Sequence, residues 1–263
     1  AEDAYAQWVE SEVNEDFYMK GTWAGLAHDC ADAAYYTRAI FAYEHKLPFA
    51  MIDPSGGGKT ISNKMMRFNG QSENKRVRAF LSYVADLSST KTIGRDTYPV
   101  TVNRNYVRPG GIWARPTLMD RGIFDILSGS AGKELPGHAE IIKRIEASGA
   151  IWKLESTVPK AVRALNLTTN MWFLPENPET GLRKWLTPDQ YGLPFSQLPG
   201  YSLEQFKTLG VQVSQASTDG SYGTTGSSAG VRSLEQYRTD ISKRLALNGQ
   251  SESKQASIER ITK

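Results

Sequence analysis

Between Gly25 and Pro48 the chain runs from Asp29 to Lys46, DCADAAYYTRAIFAYEHK, without a glycine or proline. This run constrains the fold more than any other feature. Asp29 is a good N-cap, and Pro48 pushes Leu47 out of the helical region, so a helix is predicted between them. Its first residue, Cys30, is the only cysteine in the 263 residues.

A single cysteine forms no internal disulfide. It is either a small buried core residue or a reactive thiol. The thiolate form is favoured at a helix N-terminus by unpaired N–H groups and the helix dipole. Position 30 sits in that field, and a purely structural cysteine has no reason to prefer it. The placement favours a nucleophile.

A thiol nucleophile needs a base, and the chain has three histidines. His45 lies at the far end of the same helix, about 22 Å away at ~1.5 Å per residue, and cannot reach. His28 is two residues before Cys30. His138 follows Pro136 and Gly137 and opens a predicted strand, which makes it the best base available. The runs HAEIIKRIE (138–146) and IWKLEST (151–157) flank an Ala-Ser-Gly turn and read as a hairpin. Glu155, Ser156 and Thr157 therefore lie on the strand beside His138. Alternation lets only one or two of them face it: Glu155 is the first choice of orienting acceptor and Ser156 the second. Glu140 shares the His138 face, as a substrate-binding or a solvated acid.

The remaining pattern is helix first, strand later. Residues 1–20 carry Tyr5, Trp8, Val9, Val13 and Phe17 at helical spacing. Residues 74–87 form a second amphipathic helix. Strands are expected at Tyr98–Val102, within 110–116 and at Asn170–Leu174. The proline-rich stretch 175–200 reads as surface segment and 214–230 as a Gly/Ser/Thr-rich linker. YSLEQFKT (201–208) and RSLEQYRT (232–239) both carry Ser-x-x-Gln helix starts, so short helices are expected there. The order implies an α+β fold with a cysteine-bearing helix ahead of an antiparallel sheet.

DPSGGGKT (53–60) approaches a phosphate loop, but Asp53 stands where that motif needs glycine, so a rim loop is the better reading. The net charge of +3 is too weak to argue for nucleic acid, though it suits a protein that meets an anionic polymer. Three scattered histidines and one cysteine give no zinc-finger spacing, and no metal or cofactor is expected. No apolar run is long enough to span a membrane. Ala1 opens a stretch with no signal-peptide pattern, which suits a mature exported chain.

Three stretches together resemble a family: YMKGTWAGLAHDCADA (18–33), RPGGIWARP (108–116) and PGHAEIIKRI (136–145). Their order is similar to that of the NlpC-type and CHAP-type papain-like cysteine hydrolases. Those are mostly bacterial enzymes that cut amide or peptide bonds in cell-wall peptidoglycan. Tyr18 or Trp23 would match the family's upstream tyrosine, and Pro109-Gly110-Gly111 its turn before the central strand. Ala31-Asp32 and Ala139-Glu140 depart from the family's residues after the cysteine and the histidine. The resemblance covers roughly residues 15–175. It implies a papain-like catalytic domain over 1–213 with an inserted helical region at about 50–105, followed by the linker and a C-terminal helix over 231–263. It also implies an exported hydrolase acting on peptidoglycan or a peptide. Cys30 and His138 would be the catalytic pair, with Glu155 or Ser156 orienting the base. Tyr18 or His28 would help stabilise an oxyanion, and Trp23, Asp29 and Glu140 would line the substrate. An acyl transferase or a non-catalytic binding module on the same scaffold are the alternatives.

Overall fold

A computed structural model describes residues 1–116, 137–171, 173–175, 178–207 and 234–247. The connecting segment 117–136, the linker 214–230 and the end of the chain after 247 lie outside the described residues.

The first layer is helical. α1 (Glu2–Glu12), α2 (Cys30–Glu44) and α3 (Glu73–Leu87) share one core. α1 is shorter than the sequence pattern predicts. Val13 is already extended, and the Asn14 side chain accepts from the Asp16 N–H at 2.9 Å, which turns the chain. Phe17 and Tyr18 then pack from a turn rather than from a helix. α2 follows the prediction closely. The Asp29 side chain accepts from the Ala31 and Asp32 N–H groups, and the Asp32 side chain returns to the Asp29 N–H. This reciprocal cap fixes Cys30 as the first helical residue.

Residues 50–105 contain more than helix. β1 (Ala50–Ile52) and β2 (Thr60–Ser62) form a hairpin closed by the glycine-rich loop. A short helix, α4 (Thr90–Asp96), leads into β3 (Thr97–Pro99), which joins the main sheet. That sheet has six antiparallel strands in the order β3-β8-β4-β5-β6-β7. The others are β4 (Ile112–Arg115), β5 (His138–Ile145), β6 (Ile151–Glu155), β7 (Asn166–Thr168) and β8 (Gly181–Trp185). The architecture is α+β.

Two strand expectations are corrected. No described part of 170–174 is strand; pairing with β6 falls to Asn166–Thr168. The Thr168 hydroxyl then accepts from the Asn170 N–H at 3.0 Å and turns the chain out of the sheet. The second correction is larger. The proline-rich stretch is not all surface, because β8 lies inside it and sits between β3 and β4. Arg183, at its centre, is 1% exposed. Its guanidinium donates to the Thr97 hydroxyl at 2.6 Å and to the carbonyls of Gly94, Thr97 and Pro178. A buried charge is tolerable when each N–H finds an acceptor, and here the end of α4, Thr97 and the Pro178 carbonyl supply them.

Alternation divides the sheet between two cores. Ile112, Ala114, Ala139, Ile141 and Leu154 face the α1–α3 layer. Trp113, Ile142, Ile151 and Leu182 face the other way. There α5 (Glu204–Lys207) and α6 (Leu234–Leu245) complete the structure. α6 lays Tyr237, Ile241 and Leu245 on that second core, so the C-terminal helix packs back on its own chain. The approach is close. A Cβ at Gly149, whose φ is +84°, would lie 1.9 Å from the Ser242 carbonyl oxygen. Among the described residues no helix is long and apolar enough to cross a membrane.

Candidate active site

The first residue of α2 meets the first residue of β5. The Cys30 thiol is close enough to the His138 ring to help raise its pKa. His138 Nε2 lies 2.9 Å from Glu155 Oε2 on β6. Glu155 is in turn held by the Asn166 side chain, which donates to Oε1 at 2.7 Å from β7. An imidazole, a carboxylate and an amide thus form one chain across β5, β6 and β7, with the thiol of α2 beside the imidazole. With Nε2 committed to Glu155, Nδ1 is the nitrogen left for the sulfur.

Burial by itself would lower the His138 pKa. The Cys30 thiol, the hydrogen bond to Glu155 and the charge of Glu140 outweigh it and push the value up to about 10. Glu155 moves the opposite way: burial opposes its charge, but His138 and Asn166 hold its pKa below the usual value. Each partner therefore favours the charged form of the other.

Glu140 is fully buried and pairs directly with Glu155 across the strands. Its Oε1 is 3.6 Å from His138 Nε2, and its Oε2 meets the Lys153 ammonium. Lys153 is also fully buried and donates to the Asn170 carbonyl. Burial pushes the Glu140 pKa up and the Lys153 pKa down, and each charge resists the shift of the other. Cross-strand register accounts for the grouping: Glu140, Lys153 and Glu155 lie on the sheet face that carries Trp113 and Ile142. Lys153 escaped the sequence reading. Its position two residues from Glu155 was the available signal, since i and i+2 share a strand face.

The helix end supplies a donor. Asp29 takes the Ala31 and Asp32 N–H groups. The Cys30 N–H has no partner among the described residues. Asp32 does not face the sulfur as a competing charge; it accepts from Ser88 at 2.7 Å and pairs with Lys160 at 3.3 Å.

The other residues singled out in the sequence lie around this centre rather than in it. His28 is fully buried. Its Nδ1 pairs with Ser156 Oγ at 2.9 Å, and its Nε2 lies 3.2 Å from the Arg163 carbonyl. Ser156 therefore orients His28, not His138, because adjacent strand residues point to opposite faces. Burial pushes the His28 pKa down to about 4. The Tyr18 ring lies tilted against His28, 4.5 Å between centroids. Its hydroxyl is spent on the Ala33 carbonyl and Thr37 within α2, which leaves nothing to offer an oxyanion. Trp23 sits at the opposite end of α2, where its Nε1 donates to Glu44 at 2.7 Å. It is about 20 Å from Cys30 along the helix at ~1.5 Å per residue. Asp29 acts as the cap.

No family model, curated protein or solved structure that was compared matches this chain. The site must be read from its own chemistry.

Proposed function

We propose that the protein is a papain-like cysteine hydrolase that cleaves an amide or peptide bond. The observation that carries this is the chain Cys30–His138–Glu155, with the thiol on the first residue of a capped helix. Three ingredients of acyl transfer meet there: a nucleophile, a base and a group that orients the base. His138 takes the Cys30 proton, giving a thiolate and an imidazolium that Glu155 stabilises. The thiolate attacks the carbonyl carbon. The Cys30 N–H donates to the developing oxyanion. His138 returns its proton to the leaving amine, and water releases the acyl group from the sulfur. The order of elements supports the papain-like reading, since a helix-borne cysteine precedes the histidine strand of an antiparallel sheet.

The substrate proposed is the stem peptide of peptidoglycan, which follows from the resemblance to NlpC-type and CHAP-type enzymes and places the protein outside the cytoplasm. The test is the rate of Cys30 alkylation by iodoacetamide against pH, for wild type and His138→Ala. The pair predicts rapid labelling at pH 6 that the substitution abolishes. A thiol that is inert, or indifferent to His138, would sink the proposal. With a reactive thiol established, a peptidoglycan digest run with and without added amine identifies the bond and separates hydrolysis from acyl transfer.

A further inference from the structure

One group beside the thiol exceeds what a cysteine hydrolase needs. His138 Nε2, Glu155 Oε2 and Glu140 Oε1 converge, with the donor atoms of the three residues all within 4.8 Å of one another. The first two are 2.9 Å apart, and the first and third 3.6 Å. Ligands placed tetrahedrally around zinc at ~2.0–2.2 Å are about 3.3 Å from each other. The observed separations bracket that spacing, so small side-chain rotations would seat an ion.

Glu140 is the second observation. An orienting acceptor for His138 is already present in Glu155. Yet a second carboxylate is buried beside the same nitrogen, and neither of its oxygens receives a well-directed hydrogen bond. Lys153 balances its charge from the Oε2 side. The Oε1 side faces His138 with unused lone pairs. Buried polar atoms are rarely left so. With Lys153 supplying one charge from the Oε2 side, the two carboxylates are otherwise balanced only by the proton on His138, which a metal at Nε2 would displace and replace.

We propose that His138, Glu140 and Glu155 form a site for a divalent transition metal that switches the Cys30 thiol off. The inference rests on the reading of Cys30 and His138 as a catalytic pair. A neutral imidazole has one lone pair. A metal on Nε2 displaces the proton held there, uses that lone pair and leaves the remaining proton on Nδ1, the nitrogen that the carboxylates do not engage. His138 then cannot accept the thiol proton. Three protein ligands leave a fourth position for water, and the partial exposure of His138 and Glu155, 24% and 15%, gives an entry path. No bond to sulfur is required, which separates this arrangement from ordinary capture of a metal by a thiol.

The experiment uses the full chain, freed of metal by a chelator, and Zn²⁺ alone as the probe. One equivalent of Zn²⁺ is expected to slow Cys30 alkylation at least tenfold, with recovery on adding EDTA. Cys30→Ala should keep Zn²⁺ affinity, whereas Glu140→Gln should lower it roughly 10–100-fold, the range seen when ligand support is lost. Co²⁺ should give a visible spectrum without a thiolate charge-transfer band. If Glu140→Gln is unfolded by circular dichroism, Glu155→Gln carries the same affinity test. Loss of binding in Cys30→Ala, a cobalt–thiolate band, or no Zn²⁺ binding at all would overturn the site. A thiol that is inert before zinc is added would overturn the hydrolase reading instead, and the affinity measurements would still decide the metal site.

Discussion

His28 and His138 flank the same cysteine, and their surroundings drive them to opposite states. His28 lies against the Tyr18 ring, with a hydroxyl and a carbonyl at its nitrogens and no carboxylate bonded to it. It stays neutral, with a pKa pushed down to about 4. His138 is also shielded, but two carboxylates and the thiol surround it, and its pKa rises to about 10. Both rings lose water. The difference is whether charge is brought in to replace it. Nearness to Cys30 in sequence therefore says little about which histidine serves it.

The largest expected effect breaks the comparison at its functional end. His138→Ala should slow Cys30 alkylation at pH 6 by roughly 10²–10⁴-fold, the usual weight of a positioned base. His28→Gln should leave the rate per folded molecule unchanged. Equal losses in both variants would show that the two rings are not distinct.

The next effect is on stability against pH. The folded pKa of His28 lies below its unfolded value of ~6.5. The unfolded chain thus binds more protons between those values, and the stability from His28 is present above pH ~6.5 and lost as pH falls towards 4. The loss is up to about 3 kcal/mol. His138 has the reverse sign: its contribution is full below pH ~6.5 and disappears as pH rises towards 10. Urea unfolding at pH 5, 7 and 9 should show His28→Gln flattening the acid side and His138→Gln the alkaline side. The same flattening in both would refute the assignment.

Glu155→Gln should reduce alkylation by roughly 10²-fold at most, the low end for a proton-transfer partner because it acts through His138, with recovery as pH rises. Ser156→Ala, one residue along, should leave reactivity intact and cost roughly 1–3 kcal/mol, because His28 Nδ1 is left unpaired. Exchange of those two outcomes would reverse the pairing of residues with histidines. The smallest effect is at Trp23→Phe, which removes one hydrogen bond to Glu44 worth about 1 kcal/mol and should not touch the thiol.

Local signals made part of this legible in the sequence. The cap at Asp29, the absence of breakers after it and the alternation about the Ala-Ser-Gly turn belong to short stretches. They placed α2, β5 and β6 and, with them, Cys30, His138 and Glu155. β8 was hidden for the opposite reason. GLRKW puts an arginine at a buried position, and prolines flank it. What makes the strand is Thr97 and the carbonyls at the end of α4, far away in the chain. Lys153 was hidden likewise, since a lysine in a strand reads as solvated until Glu140 and the Asn170 carbonyl are placed around it. The partner of Ser156 turned on which face each residue takes, a question that a one-residue change of register reverses.

The position of β8 also has a consequence for synthesis. It is the last of the described strands to leave the ribosome, yet it lies between β3 and β4. Until it arrives β3 has no neighbour, and the first core strands remain an open edge. Such late, non-local closure slows folding and exposes nascent chains to mispairing. A chain released before Trp185 would carry Cys30, His138 and Glu155 on β4–β7 and α2, but with β4 as an unpaired edge and β3 detached.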